Sequence, residues 1–293
     1  MERLAYEVVD VFTATAYAGN PLAVVLGADD LTTGQCQALA REFNLSETAF
    51  PMAVGGAGEG ADYRLRIFTP AMELPFAGHP SVGAAWVLAQ RGLLRPGPVV
   101  QSCGAGLLAL QVAPDGGPVV LSGGPPAVGE PLDPAPLLAA LGLGADALAG
   151  TARDASCGLG FTVLPVVADA LARVVVDLPA LRTAVGREGA FGGLSAVAWD
   201  GTAARCRVFA VGAGVDEDPA TGSAALALGA WLVAEGRVPG EGTTSYDVVQ
   251  GVEVGRASLL SCTVTAAAGR AVGGTVGGQV VAVAAGRVLV PAR

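Results

Sequence analysis

Short stretches of apolar residues alternate with polar ones near the N-terminus and predict a mixture of strands and helices. We expect strands over Tyr6–Phe12 and Leu22–Leu26, joined through a turn at Gly19-Asn20-Pro21. Apolar positions recur at helical spacing over Thr32–Phe43, which predicts a helix. This order of elements is typical of a mixed α/β chain.

A hairpin is predicted after this helix. Strands are expected over Thr48–Val54 and Tyr63–Phe68, and the glycine-rich segment Gly55–Gly60 separates them. In the second of these strands Arg64 and Arg66 alternate with apolar residues, as in a strand that has one solvated face.

Two segments, Glu73–Gly92 and Glu217–Gly236, are similar to each other without a gap. An Arg-apolar-Phe tripeptide precedes each segment, and a strand region that contains glutamine follows it. An internal repeat of this kind indicates that the chain consists of two related halves. We place the halves at 1–126 and 127–293, and we expect the last strand, about 284–293, to return to the first half.

Each repeat predicts a strand, a glycine-containing loop, and a helix that ends at a glycine in the left-handed conformation. Pro80 and Ser81 are expected to open the first helix, and Thr221 or Ser223 to cap the second. Helix starts expose unpaired backbone N–H groups at the positive end of the helix dipole. We therefore expect the two starts to face one cleft between the halves and to bind a carboxylate or an oxyanion there.

Composition excludes several kinds of chemistry. All 17 basic Lys and Arg positions are arginine, so a Schiff-base lysine and a P-loop lysine are both impossible. His79 is the single histidine, which excludes polyhistidine metal sites and leaves one possible imidazole base. The net charge of -9 provides no basic surface for nucleic acid.

Membrane insertion and secretion are not expected from the sequence. Although 52% of the residues are apolar, proline or glycine interrupts every long uncharged stretch. The first residues include Glu2, Arg3, Glu7 and Asp10, which do not fit a secretory signal peptide. We expect a cytoplasmic protein that binds neither membrane nor nucleic acid.

The five cysteines are widely spaced and form no C-x-x-C pair. We interpret them as small buried apolar residues in a reducing compartment, without a metal site or a disulfide framework. They are Cys36, Cys103, Cys157, Cys206 and Cys262.

Two polar residues of the repeats are candidates for chemistry. His79 stands at the mouth of the first helix where the second repeat has Ser223, and Asp218 stands where the first repeat has Leu74. A lone histidine commonly serves packing and an acidic loop is commonly solvated, but a scaffold repeat does not require such substitutions. Glu47, just before a predicted strand, is a surface residue when judged from the sequence alone.

A set of motifs then occurs in a specific order along nearly the whole chain. They are Asp10-Val11-Phe12-Thr13 with Gly19-Asn20-Pro21, Glu47-Thr48, Phe68-Thr69-Pro70, Glu73-Leu74-Pro75-Phe76-Ala77-Gly78-His79, Glu217-Asp218-Pro219-Ala220-Thr221-Gly222-Ser223-Ala224 and Gln250-Gly251. In this order they resemble the PhzF-like phenazine-biosynthesis isomerase family. The resemblance implies a diaminopimelate epimerase-like α/β (α+β) fold, with two pseudo-symmetric half-domains that are each a sheet wrapped around a central helix.

The resemblance also implies a function: a cofactor-independent isomerase that performs an allylic proton shift on a small carboxylate-bearing substrate, such as trans-2,3-dihydro-3-hydroxyanthranilate. Glu47 corresponds to the general acid/base, and His79 and Asp218 to groups that bind and orient the substrate. Substrate-binding loop residues correspond to Gly78, Gly222 and Ser223. The resemblance favours a homodimer and implies no metal.

One departure separates this sequence from related epimerases, which resemble it in fold but use two opposed cysteines. Ala77 and Pro219 occupy the corresponding positions, so a two-thiol racemisation is unavailable there. Two alternatives to the isomerase stay open. The first is a binding protein that keeps the fold without turnover. The second is an epimerase that does not depend on cysteine.

Overall fold

The computed structural model describes residues 2–53, 60–186, 193–210 and 216–292. Its contacts divide the chain into two compact units. The first unit comprises Met1–Ser122 together with Gly277–Arg293, and the second comprises Gly123–Val276. The division predicted from the sequence, after residue 126, lies four residues too late, and the segment that returns to the first unit is longer than the predicted 284–293.

Elements that precede residue 123 belong to the first unit. Helix α1 spans Thr33–Phe43 and helix α2 spans Gly78–Gln90. The strands are β1 (Arg3–Val11), β2 (Asn20–Val25), β3 (Glu47–Met52), β4 (Tyr63–Phe68), β5 (Glu73–Leu74), β6 (Gly97–Cys103), β7 (Gly106–Val112) and β8 (Val119–Ser122).

Elements of the remaining chain follow in order. The helices are α3 (Ala135–Ala140), α4 (Ala170–Arg173), α5 (Leu178–Val185) and α6 (Gly222–Ala234), with a 3₁₀ helix at Ala145–Ala147. The strands are β9 (Pro126–Pro131), β10 (Arg153–Cys157), β11 (Gly160–Pro165), β12 (Leu194–Trp199), β13 (Ala203–Phe209), β14 (Gly242–Gln250), β15 (Ser258–Ala267), β16 (Arg270–Gly278) and β17 (Val280–Leu289).

The two units repeat one pattern of strand pairing. In the first unit β1 is antiparallel to β2, β2 is parallel to β3, β3 is antiparallel to β4, β4 is parallel to β6, and β6 is antiparallel to β7. In the second unit β10, β11, β12, β13, β14 and β15 follow the same alternation. The repeat found in the sequence is therefore also a repeat of topology.

A buried helix lies at the centre of each unit. Strands β1, β2, β3, β7 and β8 contact α2, and strands β9, β10, β11 and β15 contact α6. Every residue of α2 is buried as far as Leu88, and every residue of α6 as far as Val233. A helix that is apolar on all sides requires such enclosure, and the predicted sheet wrapped around a central helix is confirmed.

Both central helices end as predicted. Gly92 and Gly236 adopt the left-handed conformation, with φ of 68° and 62°. In α2 the N–H of Gly92 donates to the carbonyl of Ala89, and the N–H of the next residue donates to that of Leu88. In α6 the N–H of Gly236 and that of the next residue donate in the same way to the carbonyls of Val233 and Leu232. This pair of hydrogen bonds is the Schellman motif, which satisfies carbonyls that would otherwise end the helix unpaired.

Outer helices add a second layer. In the first unit α1 packs on β3 and β4, and its side chains Cys36 and Leu39 join Phe50 and Phe68 in one apolar cluster. In the second unit α3, α4 and α5 form a separate cluster with β11 and β12. Within the described residues, no helix is both long and apolar enough to cross a membrane.

The predicted turn and the predicted hairpin near the N-terminus have different outcomes. The turn predicted at Gly19-Asn20-Pro21 is wrong in its extent, because Asn20 and Pro21 already belong to β2 and pair with β1. Gly19, the last residue before β2, has a φ of 68°, and a Cβ there would lie 2.4 Å from the carbonyl oxygen of Val11. The predicted hairpin is confirmed by antiparallel β3 and β4, while Val54 and all of its turn except Gly60 lie outside the described residues.

Candidate active site

Glu47 lies at the first position of β3, where the chain leaves α1. Asn44 ends that helix in the left-handed conformation, with φ of 51°, and its N–H donates to the carbonyl of Ala40. Glu47 then pairs in parallel with Leu22 of β2. The Glu47 side chain is only 15% exposed, so its interpretation as a surface residue is wrong. The reason is tertiary, because α2 packs against β3.

His79 is the second residue of α2 and is 4% exposed. Its ring hydrogen-bonds the backbone of Pro21. Proline has no N–H, so the imidazole donates and the Pro21 carbonyl accepts. Burial lowers the pKa of His79 to about 3, and the hydrogen bond to Pro21 only partly opposes this effect. The imidazole is therefore neutral at neutral pH.

The Glu47 and His79 side chains face each other. His79 Nε2 lies 3.5 Å from Glu47 Oε2. Nε2 makes no hydrogen bond within the described residues, which assigns the donated N–H to Nδ1 and leaves Nε2 with a lone pair. A neutral imidazole beside a carboxyl group is not an ion pair. If the Glu47 carboxyl group becomes protonated, its O–H can donate a hydrogen bond to the lone pair of His79 Nε2.

Asp218 lies in the second unit, in the segment that leads into α6. Its backbone N–H donates to the carbonyl of Val208 at 2.9 Å. One of its carboxylate oxygens, Oδ2, accepts from the Thr221 hydroxyl at 2.5 Å. Asp218 therefore has both a fixed backbone and an oriented carboxylate.

The predicted cap of α6 is wrong. Thr221 occupies the N-cap position, but its side chain makes no capping hydrogen bond. Its hydroxyl donates to Asp218 instead. Ser223 lies inside the helix, which begins at Gly222. The Thr221 oxygen, which would have to accept a helix amide in order to cap it, accepts from Gln250 Nε2 at 3.0 Å.

The two central helices begin in the same way. Gly78 and Gly222 are their first residues, both are buried, and Ser223 is buried beside Gly222. The N-cap residue of α2 is Ala77, whose methyl group cannot accept a hydrogen bond. Neither N-cap side chain of these two described helices caps the first amides. Uncapped amides at the positive end of a helix dipole suit a carboxylate ligand.

Each unit also contains a bidentate ion pair just before its central helix. Arg66 binds Glu73 through two contacts of 2.7 Å, and Arg207 binds Glu217 through contacts of 2.9 and 2.6 Å. Each guanidinium also lies over a phenylalanine ring of its own strand. No role was predicted for these residues from the sequence, although the same residue types recur in both repeats. The pairs fix the segments that carry the candidate site residues.

The six predicted site residues thus fall into two groups. Glu47, Gly78 and His79 lie together in the first unit, and Asp218, Gly222 and Ser223 lie together in the second. Sequence reasoning missed the groups that hold them, above all the Pro21 carbonyl and the side chain of Gln250. Both belong to motifs of the resemblance, but no local pattern indicates what they contact.

The five cysteines are free thiols, and four of them are buried, as predicted. The prediction is wrong for Cys103, which is half-buried. Burial raises the pKa of the Cys36 and Cys157 thiols to about 11. Within the described ranges, no cluster of three or more His, Cys, Asp or Glu side chains is suited to a metal ion.

Comparisons with known proteins agree with this architecture. Residues 9–286 match the PhzC-PhzF family model, which is described as phenazine biosynthesis-like protein. A trans-2,3-dihydro-3-hydroxyanthranilate isomerase of Pseudomonas aeruginosa is 34% identical, over 96% of this chain and 98% of that protein. The crystal structure of a PhzF-family phenazine biosynthesis protein of Bacillus anthracis is similar with a TM-score of 0.87 and 25% identity, over 99% of this chain and 100% of that one.

A more distant structure shares the fold alone. It is a hydroxyproline epimerase of Agrobacterium vitis, with 17% identity and a TM-score of 0.62 over 98% of this chain and 92% of that one. The family match spans most of the chain, and the matched relatives are covered nearly in full. The chain therefore belongs to the phenazine biosynthesis-like protein family and is an isomerase of the PhzF type with a diaminopimelate epimerase-like fold.

Proposed function

We propose that this chain catalyses an allylic proton shift on a small carboxylate-bearing substrate of the trans-2,3-dihydro-3-hydroxyanthranilate type, with Glu47 as general acid/base. The substrate class comes from the name of the Pseudomonas aeruginosa relative. The observation that carries the proposal is the largely buried Glu47 side chain, 3.5 Å from His79. A general base must be able to accept a proton from the substrate and give it back, and a site that is shielded from water prevents loss of that proton to solvent.

The proposed reaction conserves every proton. The Glu47 carboxylate removes a proton from one carbon of the substrate, and the electron pair of the broken C–H bond moves into the allylic system. The protonated carboxyl then returns the proton to the far end of that system, where a new C–H bond forms while the double bond moves. Such a shift needs an acid/base group but no redox partner, so the proposal includes no cofactor.

His79 supports this cycle as a neutral group. Its Nδ1–H donates to the Pro21 carbonyl, and its Nε2 lone pair faces Glu47. When Glu47 carries the substrate proton, the O–H can donate toward Nε2. A charged imidazolium would instead stabilise the carboxylate and weaken the base, which the burial of His79 prevents.

Asp218 and the start of α6 are assigned to substrate binding. The Asp218 carboxylate, already oriented by Thr221, can accept a hydrogen bond from a substrate amine or hydroxyl group. The amides of Gly222 and Ser223 can donate to a substrate carboxylate. Gly78 supplies an equivalent amide at the start of α2. These roles remain part of the proposal.

The proposal is tested by proton NMR of trans-2,3-dihydro-3-hydroxyanthranilate in deuterated water. Wild type is compared with Glu47→Gln and with Glu42→Gln, a matched control at an exposed position of α1. We expect isomer formation with deuterium uptake by wild type and by Glu42→Gln. We expect a rate lower by about 10²- to 10⁴-fold in Glu47→Gln, since acid/base catalysis typically contributes that much. Calorimetric titration should find that Glu47→Gln still binds the compound.

Other results would overturn defined parts of the proposal. A Glu47→Gln variant within twofold of wild type would exclude Glu47 as the base. A wild type that leaves the compound unchanged would remove this substrate class. Deuterium uptake with inversion of one stereocentre and no movement of the double bond would make the enzyme an epimerase instead.

A further inference from the structure

The side chain of Gln250, the last residue of β14, is 1% exposed. Within the part of the chain that the structure describes, its amide group makes three hydrogen bonds, all to the segment that leads into α6. Nε2 donates to the backbone carbonyl of Asp218 at 2.6 Å and to the Thr221 hydroxyl at 3.0 Å. Oε1 accepts from the Thr221 N–H at 3.1 Å. The buried Gln250 side chain therefore hydrogen-bonds two residues of this segment, Asp218 and Thr221.

These hydrogen bonds fix the direction of a further one. Because Nε2 donates to the Thr221 oxygen, the proton of that hydroxyl is free to point elsewhere. It points to Asp218 Oδ2, 2.5 Å away. Gln250 thereby controls both the backbone of Asp218 and, through Thr221, the orientation of its carboxylate. Hydrogen bonds joined in this way strengthen one another.

The residue after Gln250 fits the same segment closely. Gly251 has a φ of 75°, and a Cβ there would lie 2.5 Å from the carbonyl oxygens of Pro219 and Arg256. No residue with a side chain fits this position without moving the backbone around Pro219. Two consecutive residues at the end of β14 therefore determine where the Asp218 segment lies.

We propose that Gln250 is a positioning residue, which holds the Asp218 carboxylate in the geometry that binds substrate. The inference rests on the proposed function in one respect, namely the binding role of Asp218. Gln250 acts on Asp218 directly and through Thr221. Because the Asp218 carboxylate is already oriented before substrate binds, binding does not have to supply the free energy of ordering it.

The decisive variant is Gln250→Glu, which keeps the size of the side chain. The introduced carboxylate can still accept from the Thr221 N–H, but it cannot donate to the Asp218 carbonyl or the Thr221 hydroxyl. We expect KM to rise about tenfold to 100-fold, since small misplacements in a binding site can have effects of this size. The KM defect should shrink as the pH is lowered toward 5, because protonation of the introduced carboxyl restores a donor.

Tyr246→Phe is the matched control. Tyr246 belongs to the same strand, is buried, and donates to the carbonyl of Ala225 inside α6 at 2.8 Å. Its loss removes a buried hydrogen bond to the same helix without touching the Asp218 segment. Partial unfolding lowers the concentration of active enzyme and hence the apparent kcat, but it leaves KM unchanged. We therefore expect Tyr246→Phe to lower the Tm and to keep the wild-type KM.

A double-mutant cycle with Asp218→Asn separates the possible outcomes. If Gln250 acts through Asp218, then Gln250→Glu should change KM in the wild-type background and have less than a twofold effect in the Asp218→Asn background. The dissociation constant of 3-hydroxyanthranilate, an aromatic compound with the same substituents, supplies a second readout that needs no turnover.

Each alternative result has one meaning. Additive effects of the two substitutions on both readouts would overturn the positioning role. If Gln250→Glu kept the wild-type KM while Asp218→Asn had a raised KM, the positioning role of Gln250 would be refuted and the binding role of Asp218 would be retained. Wild-type KM and affinity in Asp218→Asn would instead refute the binding role of Asp218, and with it the reason to position that residue.

Discussion

His79 Nε2 lies 3.5 Å from Glu47 Oε2, and the two side chains are 4% and 15% exposed. The contact joins the start of α2 to the start of β3, while the Pro21 carbonyl of β2 holds the other ring nitrogen of His79. Three elements of the first unit thus meet at one carboxyl group. Since burial keeps the imidazole neutral, the pair is a carboxyl group beside a hydrogen-bond acceptor rather than a salt bridge.

The first prediction concerns the tautomer of His79. The sequence contains one histidine, so the imidazole ¹⁵N resonances belong to a single residue. We expect long-range ¹H–¹⁵N spectra at pH 7 to show a protonated Nδ1 and an unprotonated Nε2, because the Pro21 carbonyl needs the N–H. The same pattern should persist to pH 5, since the pKa of His79 is lowered to about 3. A protonated ring at pH 6 would contradict this assignment.

The second prediction is a dependence of stability on pH. His79 has a pKa of about 3 in the folded protein against 6.5 for an ordinary histidine. Between these values the unfolded chain binds the extra proton, so stability falls as the pH is lowered through this range. Above about pH 6.5 His79 is neutral in both the folded and the unfolded chain and does not make the free energy of unfolding depend on pH. Below that value, and down to about pH 3, the free energy of unfolding falls by up to about 1.4 kcal/mol per pH unit.

Urea unfolding of wild type and His79→Gln at pH 7, 6 and 5 measures this contribution. Carboxyl groups that do not contact residue 79 affect both proteins alike, and adding His79→Gln to a Glu47→Gln background removes the one that does. The difference in that background isolates the imidazole. The stability of wild type should fall more steeply than that of the variant. Parallel pH dependences would show that the buried imidazole is not what titrates.

The third prediction compares the two bidentate ion pairs. Arg207 and Glu217 are 11% and 10% exposed, whereas Glu73 in the equivalent pair is 36% exposed. Arg207 also donates to the carbonyls of Leu171 and Val174 and cannot turn to solvent without losing them. Glu217→Gln should therefore cost about 3–5 kcal/mol of unfolding free energy, and Glu73→Gln about 1 kcal/mol or less. Equal losses in urea unfolding would refute the role given to burial.

Local signals in the sequence were sufficient for the C-terminal ends of the central helices, but not for their starts, since α2 begins at Gly78 and not at Pro80. Gly92 and Gly236 end them because only a residue without Cβ adopts the required left-handed conformation easily. The similarity of the segments Glu73–Gly92 and Glu217–Gly236 identified the two halves. Each of these features depends on residues that are close in the chain.

Features that depend on distant residues could not be predicted in this way. Glu47 is polar and follows a helix, so it has the sequence pattern of a solvated residue, but α2 packs on the strand that carries it. Thr221 has a strong local preference to cap α6, but Asp218 and Gln250 compete for its hydroxyl. Gln250 belongs to a strand that comes after α6, and no local pattern connects it to Asp218.

The fourth prediction is that catalysis does not depend on thiols. Burial raises the pKa of Cys36 to about 11 and that of Cys206 to about 12, so the reactive thiolate is scarce at pH 7.5. Cys103 is the cysteine that is not buried. Iodoacetamide should modify the native protein at Cys103 alone and leave turnover within twofold of the untreated enzyme.

Mass spectrometry of the native and the urea-unfolded protein checks this prediction. The unfolded chain should take up label at all five cysteines. Cys103→Ser is the control, and its native form should take up no label and stay active. Loss of activity in step with alkylation of this variant would reveal a functional thiol that burial does not protect.

The last prediction concerns the packing of α2 on the strands that hold the catalytic pair. A Cβ added to Gly83 would lie 2.6 Å from Leu22 Cδ2 and 2.8 Å from Val11 Cγ2. Alanine is the better helix former by about 1 kcal/mol, but overpacking a core typically costs about 1–3 kcal/mol. Leu22 follows Pro21 and pairs with Glu47, so a displaced β2 moves the contacts of both His79 and Glu47. We therefore expect Gly83→Ala to lower both stability and turnover.

Gly34→Ala in α1 provides the opposite case. Gly34 is exposed, and a Cβ there would meet no atom within 4 Å. This substitution should raise the free energy of unfolding by up to about 1 kcal/mol and leave turnover unchanged. For Gly83→Ala we expect turnover to fall at least about tenfold, at a temperature where urea unfolding shows the variant to be folded. If Gly83→Ala were instead as stable and as active as Gly34→Ala, the close approach of α2 to β2 would not be what holds the Glu47 and His79 pair in place.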